Sequence, residues 1–456
     1  MNLKLSMLIG GDFVLALLSL LTALVMRYGY PVPDLELYRV SYLQGSVYIL
    51  VLILSSYIFE RYDLHRIRNR KELFVHTLFQ VCCAFILLSI IYFIVPQVII
   101  GRGVLAIALV LFTIFQVLWH ILFIIGYDHP SLTERILVVG TGSLAQKIGD
   151  LISSSKSTFN YELAGYVTCD YDSEQSTVPD GTIVGNATCL MDLALDHKVN
   201  KIVIALTEKR GIFPLRDTLR CKLNGLEIYD TPALFEQLTG KLMLEYITPS
   251  WLIFSAGFKR TALLSAAKRM CDIILALLGL LLSLPLFPII ALLVKLDSPG
   301  PIFFKQIRVG NWEKKFLLYK FRTMPQDAEK GGAIWAQADD PRVGRIGGFL
   351  RKYRLDEIPQ LYNVLRGEMS FIGPRPERPE FVEKLKEIVP YYSKRHFVKP
   401  GLTGWAQIRY PYGASVEDAL EKLRYDLFYI KNMSLRLESI IILETVKVVL
   451  FGRGGR

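Results

Sequence analysis

The stretch Arg351-Lys-Tyr-Arg-Leu-Asp-Glu-Ile-Pro-Gln360 sets two adjacent carboxylates, Asp356 and Glu357, just behind a cluster of cations. Pro359 suits the first turn of a helix and Gly367 its end, so Leu361 to Arg366 reads as helix body. Asp356 is then expected at or near a helix N-terminus, where free N–H groups and the positive dipole end attract phosphate oxygens. Arg351 and Arg354 add fixed charge and forked donors. A carboxylate repels a phosphate, but these cations, completed by a divalent metal, could offset that repulsion. The plainer alternative is that Asp356 only caps the helix and Glu357 is a solvated first-turn acid.

Four further segments surround the dyad in order. Upstream lie Ser298-Pro-Gly-Pro-Ile-Phe-Phe-Lys-Gln-Ile-Arg-Val-Gly310 and Lys320-Phe-Arg-Thr-Met324. Downstream lie Met369-Ser-Phe-Ile-Gly-Pro-Arg-Pro376 and Lys399-Pro-Gly-Leu-Thr-Gly-Trp-Ala-Gln407. Together the five motifs resemble the bacterial sugar transferases known as polyprenol-phosphate phosphoglycosyl transferases, in their monotopic class. The resemblance covers about residues 265 to 456. The preceding part is similar to the long, multi-domain members, which include undecaprenyl-phosphate glucose and galactose phosphotransferases.

Composition agrees with a membrane setting. Of 456 residues, 52% are hydrophobic and mean hydropathy is +0.34, too apolar for an ordinary soluble protein. The net charge of +11 could serve nucleic acid, anionic lipid or anionic substrates. Apolar runs occur beside the cations, which favours membrane lipid and phosphorylated substrates. No zinc-finger spacing or RNA-recognition signature supports nucleic acid. Six scattered cysteines (Cys82, Cys83, Cys169, Cys189, Cys221 and Cys271) form no CxxC, so neither a metal site nor a disulfide framework is expected. The N-terminus lacks a small-residue cleavage site, and the first apolar run is expected to be retained.

The elements that must position the dyad begin at residue 268. Residues 1–130 carry four apolar runs, Leu8–Met26, Tyr42–Phe59, Phe74–Val95 and Val104–Ile125. Each is near the ~20 residues that span a bilayer, so a four-helix transmembrane bundle is expected. The loop Glu60–Glu72 holds Arg61, Arg66, Arg68, Arg70 and Lys71, which places it and everything after Ile125 in the cytoplasm. No run shows a polar stripe, and Asp12 is expected at an interface; packing is the role expected of the bundle.

Residues 131–250 read as a Rossmann-like α/β domain. Arg135–Gly140 is a buried strand, and Gly140-Thr-Gly-Ser-Leu-Ala145 then opens a helix. Later strands are expected at Leu163–Val167, Lys201–Leu206 and Gly225–Tyr229. NAD is not favoured, because no clear acid closes the second strand, Asp170 being too far out, and no Tyr-x-x-x-Lys follows. The resemblance to the long members implies an accessory domain, and a structural or regulatory role, such as homo-oligomerisation or nucleotide sensing, is expected.

Residues 251–267 read as a linker, and 268–456 as an α/β catalytic domain. Its first element, Lys268–Lys295, is long enough to span. Cations flank both ends, and Pro285 and Pro288 interrupt it, so a re-entrant helix–break–helix entering and leaving on the cytoplasmic face is expected. The resembled family has such an element with a Ser-Pro pair at its bend; here Leu284-Pro285 stands there, with Ser283 one place earlier. Leu435–Phe451 carries Arg436, Glu438, Glu444 and Lys447 and reads as an amphipathic helix on the domain or the interface.

The resemblance implies transfer of a hexose-1-phosphate from a UDP-sugar, with glucose favoured and galactose open, to undecaprenyl phosphate at the bacterial inner membrane. UMP is released, as a first membrane step of exopolysaccharide, capsule or O-antigen synthesis. It implies Asp356 as nucleophile, forming a phosphosugar-aspartyl intermediate, with Mg²⁺ bound at Asp356 and Glu357 in a supporting catalytic role. Lys320, Arg322, Arg351 and Arg375 are the cations suited to diphosphate and lipid phosphate, with Gln306 and Arg308 as further candidates. Trp405 is expected to pack in the core. Two other readings stay open. One is a membrane-tethered NAD-dependent nucleotide-sugar-modifying enzyme; the other is a non-catalytic scaffold for polysaccharide assembly.

Overall fold

The computed structural model describes residues 3–29, 42–59, 61–62, 70–127, 133–154, 161–169, 176–206, 214–247, 249–326, 328, 340–410, 413 and 415–450. They form two compact units, Met1–Leu234 and Phe235–Arg456.

The first unit opens with α1 (Leu3–Tyr28), α2 (Tyr42–Ile58), α3 (Arg70–Ile94) and α4 (Arg102–Tyr127). Three stretches, Ser6–Tyr28, Thr77–Ile94 and Arg102–Phe123, are long and apolar enough to cross a membrane; α2 is apolar but shorter. Leu20, Leu24, Leu52, Leu88 and Phe112 bring all four helices into one apolar core. Large apolar residues such as Phe93 and Ile125 point away from it.

A buried polar cluster lies inside these helices, which corrects the expectation for Asp12. Asp12 is fully buried, not interfacial. Its carboxylate accepts from Gln116 Nε2 at 2.6 Å and lies 3.1 Å from His120 Nε2. Arg61 donates to His120 Nδ1 at 3.1 Å, so the imidazole bridges acid and guanidinium. Gln80 and Gln116 both donate to Ser56 Oγ, at 2.8 and 3.0 Å. Each helix contributes only one or two of these groups. No single run shows a stripe, and only packing makes them converge. The remaining loop cations Arg66 and Arg68 lie outside the described residues, as does Asp170.

After the helices come β1 (Glu134–Val139), α5 (Ser143–Ser154), β2 (Tyr161–Thr168), β3 (Ile183–Asn186), β4 (Lys201–Ile204) and β5 (Glu227–Asp230). The sheet runs β3-β2-β1-β4-β5 with every pairing parallel. This is the Rossmann-like order, with the chain reversing direction of growth at β1. Gly140 leaves β1 at φ +121, and a Cβ there would lie 2.6 Å from the Ala205 carbonyl. β3 escaped the sequence reading because its four residues, with Gly185 inside, carry neither alternation nor an apolar run.

In the second unit, Leu242, Leu244 and Ile247 are buried with Tyr429 and Ile441, and Trp251, Leu252 and Phe258 pack on the same core. Part of the segment read as linker is thus core of this unit. Helix α6 (Ala262–Ser283) is capped by Thr261, whose Oγ1 accepts from Leu264 N at 3.1 Å. It meets α7 (Leu286–Asp297) at a 65° bend. Pro285 stands at the break, while Pro288 lies in the first turn of α7, where a missing N–H costs nothing.

Lys268 and Arg269 are not simple flanking cations. Lys268 donates to Glu438 at 2.7 Å and to the Ile372 carbonyl at 3.0 Å. Arg269 donates to the Val364 and Leu365 carbonyls, near a helix C-terminus whose last carbonyls have no partner within the helix. Buried Asp272 accepts from Ser370 Oγ and Phe371 N at 2.9 and 2.8 Å. These bonds fasten the start of α6 to the domain.

The domain continues through β6 (Phe303–Val309), β7 (Lys315–Phe321), α8 (Arg345–Lys352), α9 (Gln360–Arg366), β8 (Ser370–Ile372), β9 (Gly401–Thr403), α10 (Val416–Lys431) and α11 (Leu435–Leu450). β6 and β7 form an antiparallel hairpin; β8 and β9 are parallel. A Cβ on Gly373 would lie 2.3 Å from the Lys399 carbonyl, and one on Gly401 2.0 Å from Gly373 N. The glycines of the GPRP and PGLTG motifs therefore let two backbones touch. Trp405 is buried and donates to the Gly240 carbonyl at 2.7 Å, as a core residue. In α11, Leu437 and Ile441 are buried against the domain.

Candidate active site

The hairpin supplies the first wall. Phe304 pairs with Lys320 and Gln306 with Leu318. The two-residue period therefore puts Gln306, Arg308 and Lys320 on one face. The dyad faces them from a 3₁₀ turn, Leu355–Glu357, between α8 and α9. Arg354 enters this turn at φ +55, a left-handed conformation that costs a non-glycine residue of order 1 kcal/mol or more. Backbone bonds from Arg354 N to Arg351 O and from Glu357 N to Arg354 O, each 3.1 Å, hold it. Helix α9 follows as the sequence suggests, and Gly367 closes it at φ +79.

Both carboxylates are 6% exposed. Glu357 Oε1 accepts from Arg375 Nη2 at 2.9 Å and from Lys320 Nζ at 3.1 Å, and Arg354 lies 3.8 Å from Oε2. Asp356 has Lys320 at 3.8 Å as its ion pair among the described residues. The electrostatics separate the two acids. Burial works against the Glu357 carboxylate, but Lys320, Arg375 and Arg354 outweigh it and hold its pKa well below the usual range. Burial raises the pKa of Asp356, opposed by Lys320 and reinforced by Glu357. Burial also pushes Lys320 and Arg351 down, whereas Glu357 raises Arg375.

The dyad lies on a cavity of about 1600 Å³. Gln306, Arg308, Lys320, Arg322, Arg351, Asp356, Glu357 and Arg375 all line it, so residues spread over about 70 positions in the sequence are brought together. Arg322 is nevertheless engaged with the main chain. Its guanidinium donates to the carbonyls of Ser298 and Pro299 at 2.6 Å and of Val294 at 3.4 Å, capping the end of α7. Gly300 is required beside it: a Cβ there would lie 2.1 Å from Arg322 Nη1. Arg308 donates to Gln306 Oε1 at 2.5 Å and to the Pro376 carbonyl at 3.2 Å. Arg351 donates to Thr323 Oγ1 at 2.9 Å. Pro285 and Pro288 lie at the α6–α7 break and in the first turn of α7, not in the cavity lining.

Other lining residues were not singled out from the sequence. Asp340 pairs with Arg342 through two hydrogen bonds of 2.8 and 2.5 Å, and that guanidinium brings its pKa to about 2. Arg378, Arg395, Lys422 and Asp426 lie farther along the chain on the same cavity. Nothing in their local spacing distinguishes them from surface charges.

Magnesium fits the donor set in one mode only. Among the described residues no group of three His, Cys, Asp or Glu side chains stands ready to enclose a metal. Glu357 is already occupied by two cations, leaving Asp356 as the hard oxygen donor on offer. That suits an ion held by one carboxylate, water and substrate phosphates.

Residues 263–452 match the family described as bacterial sugar transferase, and residues 57–215 the one described as CoA-binding domain. The exopolysaccharide production protein PSS of Rhizobium leguminosarum bv. phaseoli is 42% identical over 185 residues, which are 39% of this chain and 92% of that protein. The chain belongs to the bacterial sugar transferase family. Within it, this transferase is similar to longer members. One is the UDP-N-acetylgalactosamine-undecaprenyl-phosphate N-acetylgalactosaminephosphotransferase of Aeromonas hydrophila, 41% identical over 237 residues, 52% of this chain and 55% of that protein. Another is the UDP-glucose:undecaprenyl-phosphate glucose-1-phosphate transferase of Xanthomonas campestris pv. campestris, 34% identical over 330 residues, 69% of this chain and 66% of that protein. The chain therefore spans about half to two thirds of the length of these two relatives.

Proposed function

We propose that this sugar transferase moves a sugar-1-phosphate from a UDP-sugar to undecaprenyl phosphate and releases UMP. The observation that carries this reading is a division of labour at the dyad. Glu357 takes the hydrogen bonds of Lys320 and Arg375, which leaves Asp356 as a buried carboxylate facing a cation-lined cavity. Such a cavity suits a diphosphate, and such a carboxylate suits nucleophilic attack on phosphorus.

In the first step an Asp356 oxygen forms a bond to the phosphorus next to the sugar. The bond from that phosphorus to the bridging oxygen breaks, and UMP leaves with the electron pair. In the second step an oxygen of undecaprenyl phosphate attacks the same phosphorus and the Asp356 carboxylate is released, giving undecaprenyl-diphospho-sugar. Lys320, Arg351 and Arg375 stabilise charge on the transferring phosphoryl group. Glu357 anchors two of these cations, which is the role proposed for it. Mg²⁺ at Asp356 is part of the proposal, and when bound it supplies charge neutralisation on the diphosphate oxygens.

The donor sugars proposed are glucose and N-acetylgalactosamine, the two that the relatives' names give. The proposed setting is the bacterial inner membrane, with α1–α4 spanning it, α6–α7 re-entrant and the active site cytoplasmic. The Rossmann-like domain is proposed as accessory.

The test is UMP release from each UDP-sugar with undecaprenyl phosphate in detergent. Ping-pong kinetics are expected, with a phosphosugar label on Asp356 when the lipid is withheld. A requirement for both substrates bound together, with no trapped label, would replace the covalent path by direct transfer.

A further inference from the structure

Arg375, one of the two cations that hydrogen-bond Glu357, sits in a loop whose main chain is well tied. Pro374 and Pro376 flank Arg375 and carry no N–H. Four successive carbonyls each have a named donor. Pro374 O accepts from Gly401 N at 2.9 Å, and Glu377 O from Val309 N at 3.0 Å. The two between them are held by guanidinium groups: Arg375 O by Arg395 Nη2 at 3.1 Å and Pro376 O by Arg308 Nη1 at 3.2 Å.

Arg395 is itself fixed. It is 5% exposed, and its Nε and Nη2 lie 3.0 and 2.8 Å from Asp426 Oδ2. Its Nη1 donates to Tyr392 Oη at 2.7 Å. Asp426 and Tyr392 are each 2% exposed. A chain of contacts therefore runs from α10 through Asp426, Arg395 and the Arg375 main chain to the Arg375 side chain. That side chain ends on Glu357 Oε1 at 2.9 Å and Gln407 Oε1 at 3.1 Å.

We infer that Arg395, oriented by Asp426, is a positioning residue of the transfer, fixing the Arg375 main chain so that its guanidinium stays on Glu357 beside Asp356. The inference rests on the proposed reaction for its kinetic arm only. A buried Arg–Asp pair could be replaced by apolar residues of the same volume with little loss of stability, so stability alone does not account for it. Positioning does: a misplacement of about 1 Å at a phosphoryl-binding group can cost on the order of 100-fold in rate.

The test is Arg395→Lys in the full chain, reconstituted in detergent. Lysine keeps the charge but cannot reach Asp426, Tyr392 and the Arg375 carbonyl together. Hydrogen exchange over residues 371–381 is expected to rise with the rest of the protein unchanged. Turnover is expected to fall on the order of 100-fold. The loss is expected in kcat, with KM for the UDP-sugar little changed, because Arg375 acts on the transferring phosphoryl group. Wild-type exchange in the variant, or a loss confined to KM, would overturn the inference. So would a rate loss that only tracks the unfolded fraction. If Arg395→Lys does not fold, Asp426→Asn, which keeps the shape, decides on the same readouts. If the wild type releases no UMP, the reaction fails but the exchange arm still judges Arg395.

Discussion

Asp356 and Glu357 are neighbours in the chain with opposite electrostatic fates, and that separates what each substitution does. Asp356 has its pKa raised, burial being the largest cause. The folded state therefore holds its proton more tightly than the unfolded state. Stability contributed through this group is gained as pH falls and lost as pH rises through the folded value. At neutral pH the ionised carboxylate is thus a liability to the fold. Asp356→Asn is expected to abolish UMP release while leaving the thermal midpoint equal to the wild type or higher. Glu357 has the opposite sign. Lowered by its cations despite burial, it stabilises the fold above the unfolded carboxylate pKa, and that contribution is lost as pH falls. Glu357→Gln leaves Lys320 and Arg375 without their partner and is expected to cost about 3–5 kcal/mol in chemical unfolding, as well as turnover.

Among the elements, the hairpin explains where motif reading goes astray. Lys320 and Arg322 stand two apart and would share a face if the strand continued. β7 ends at Phe321, so Arg322 turns back onto the carbonyls that end α7. Arg322→Ala is expected to lower unfolding stability by roughly 3 kcal/mol, with turnover per folded molecule largely kept. A rate loss without a stability loss would return Arg322 to the substrate. The same limit recurs elsewhere. The β1–Gly140–α5 unit was legible because strand, turn and helix signals are contiguous. So was α9, bounded by Pro359 and Gly367. The cluster around Asp12 was not, because its partners Gln116 and His120 lie over 100 residues away on another helix. Asp12→Ala would remove the buried acceptor of Gln116 and the acid beside His120. It is expected to destabilise α1–α4 by about 3–5 kcal/mol, read as earlier loss of helical signal on heating in detergent.

At the scale of the molecule, the open question is the path of α6–α7, and the structure changes the grounds for it. The flanking cations carry less weight than the sequence suggests, since Lys268 and Arg269 bind within the domain. Fastening carries more. The start of α6 is pinned through Asp272 to Ser370 and Phe371, and the end of α7 through Arg322 to Val294, Ser298 and Pro299. Both ends are thus bound to one folded unit. Between them, the part of α6 beyond Asp272 is about 16 Å long and α7 about 18 Å at 1.5 Å per residue. At the 65° bend the two limbs together still reach about 29 Å, close to a hydrocarbon core of about 30 Å, so length allows either path. It is the fastening of both ends to one folded unit that supports entry and exit on the same face. In a cysteine-free background, which must also replace the exposed Cys271, single cysteines at Arg260 and Lys314 flank the element at exposed positions. A membrane-impermeant maleimide is expected to label both in inside-out vesicles and neither in right-side-out ones. Labelling on opposite sides would mean that α6–α7 crosses the membrane, and would require the bonds of Asp272 or of Arg322 to break in the bilayer.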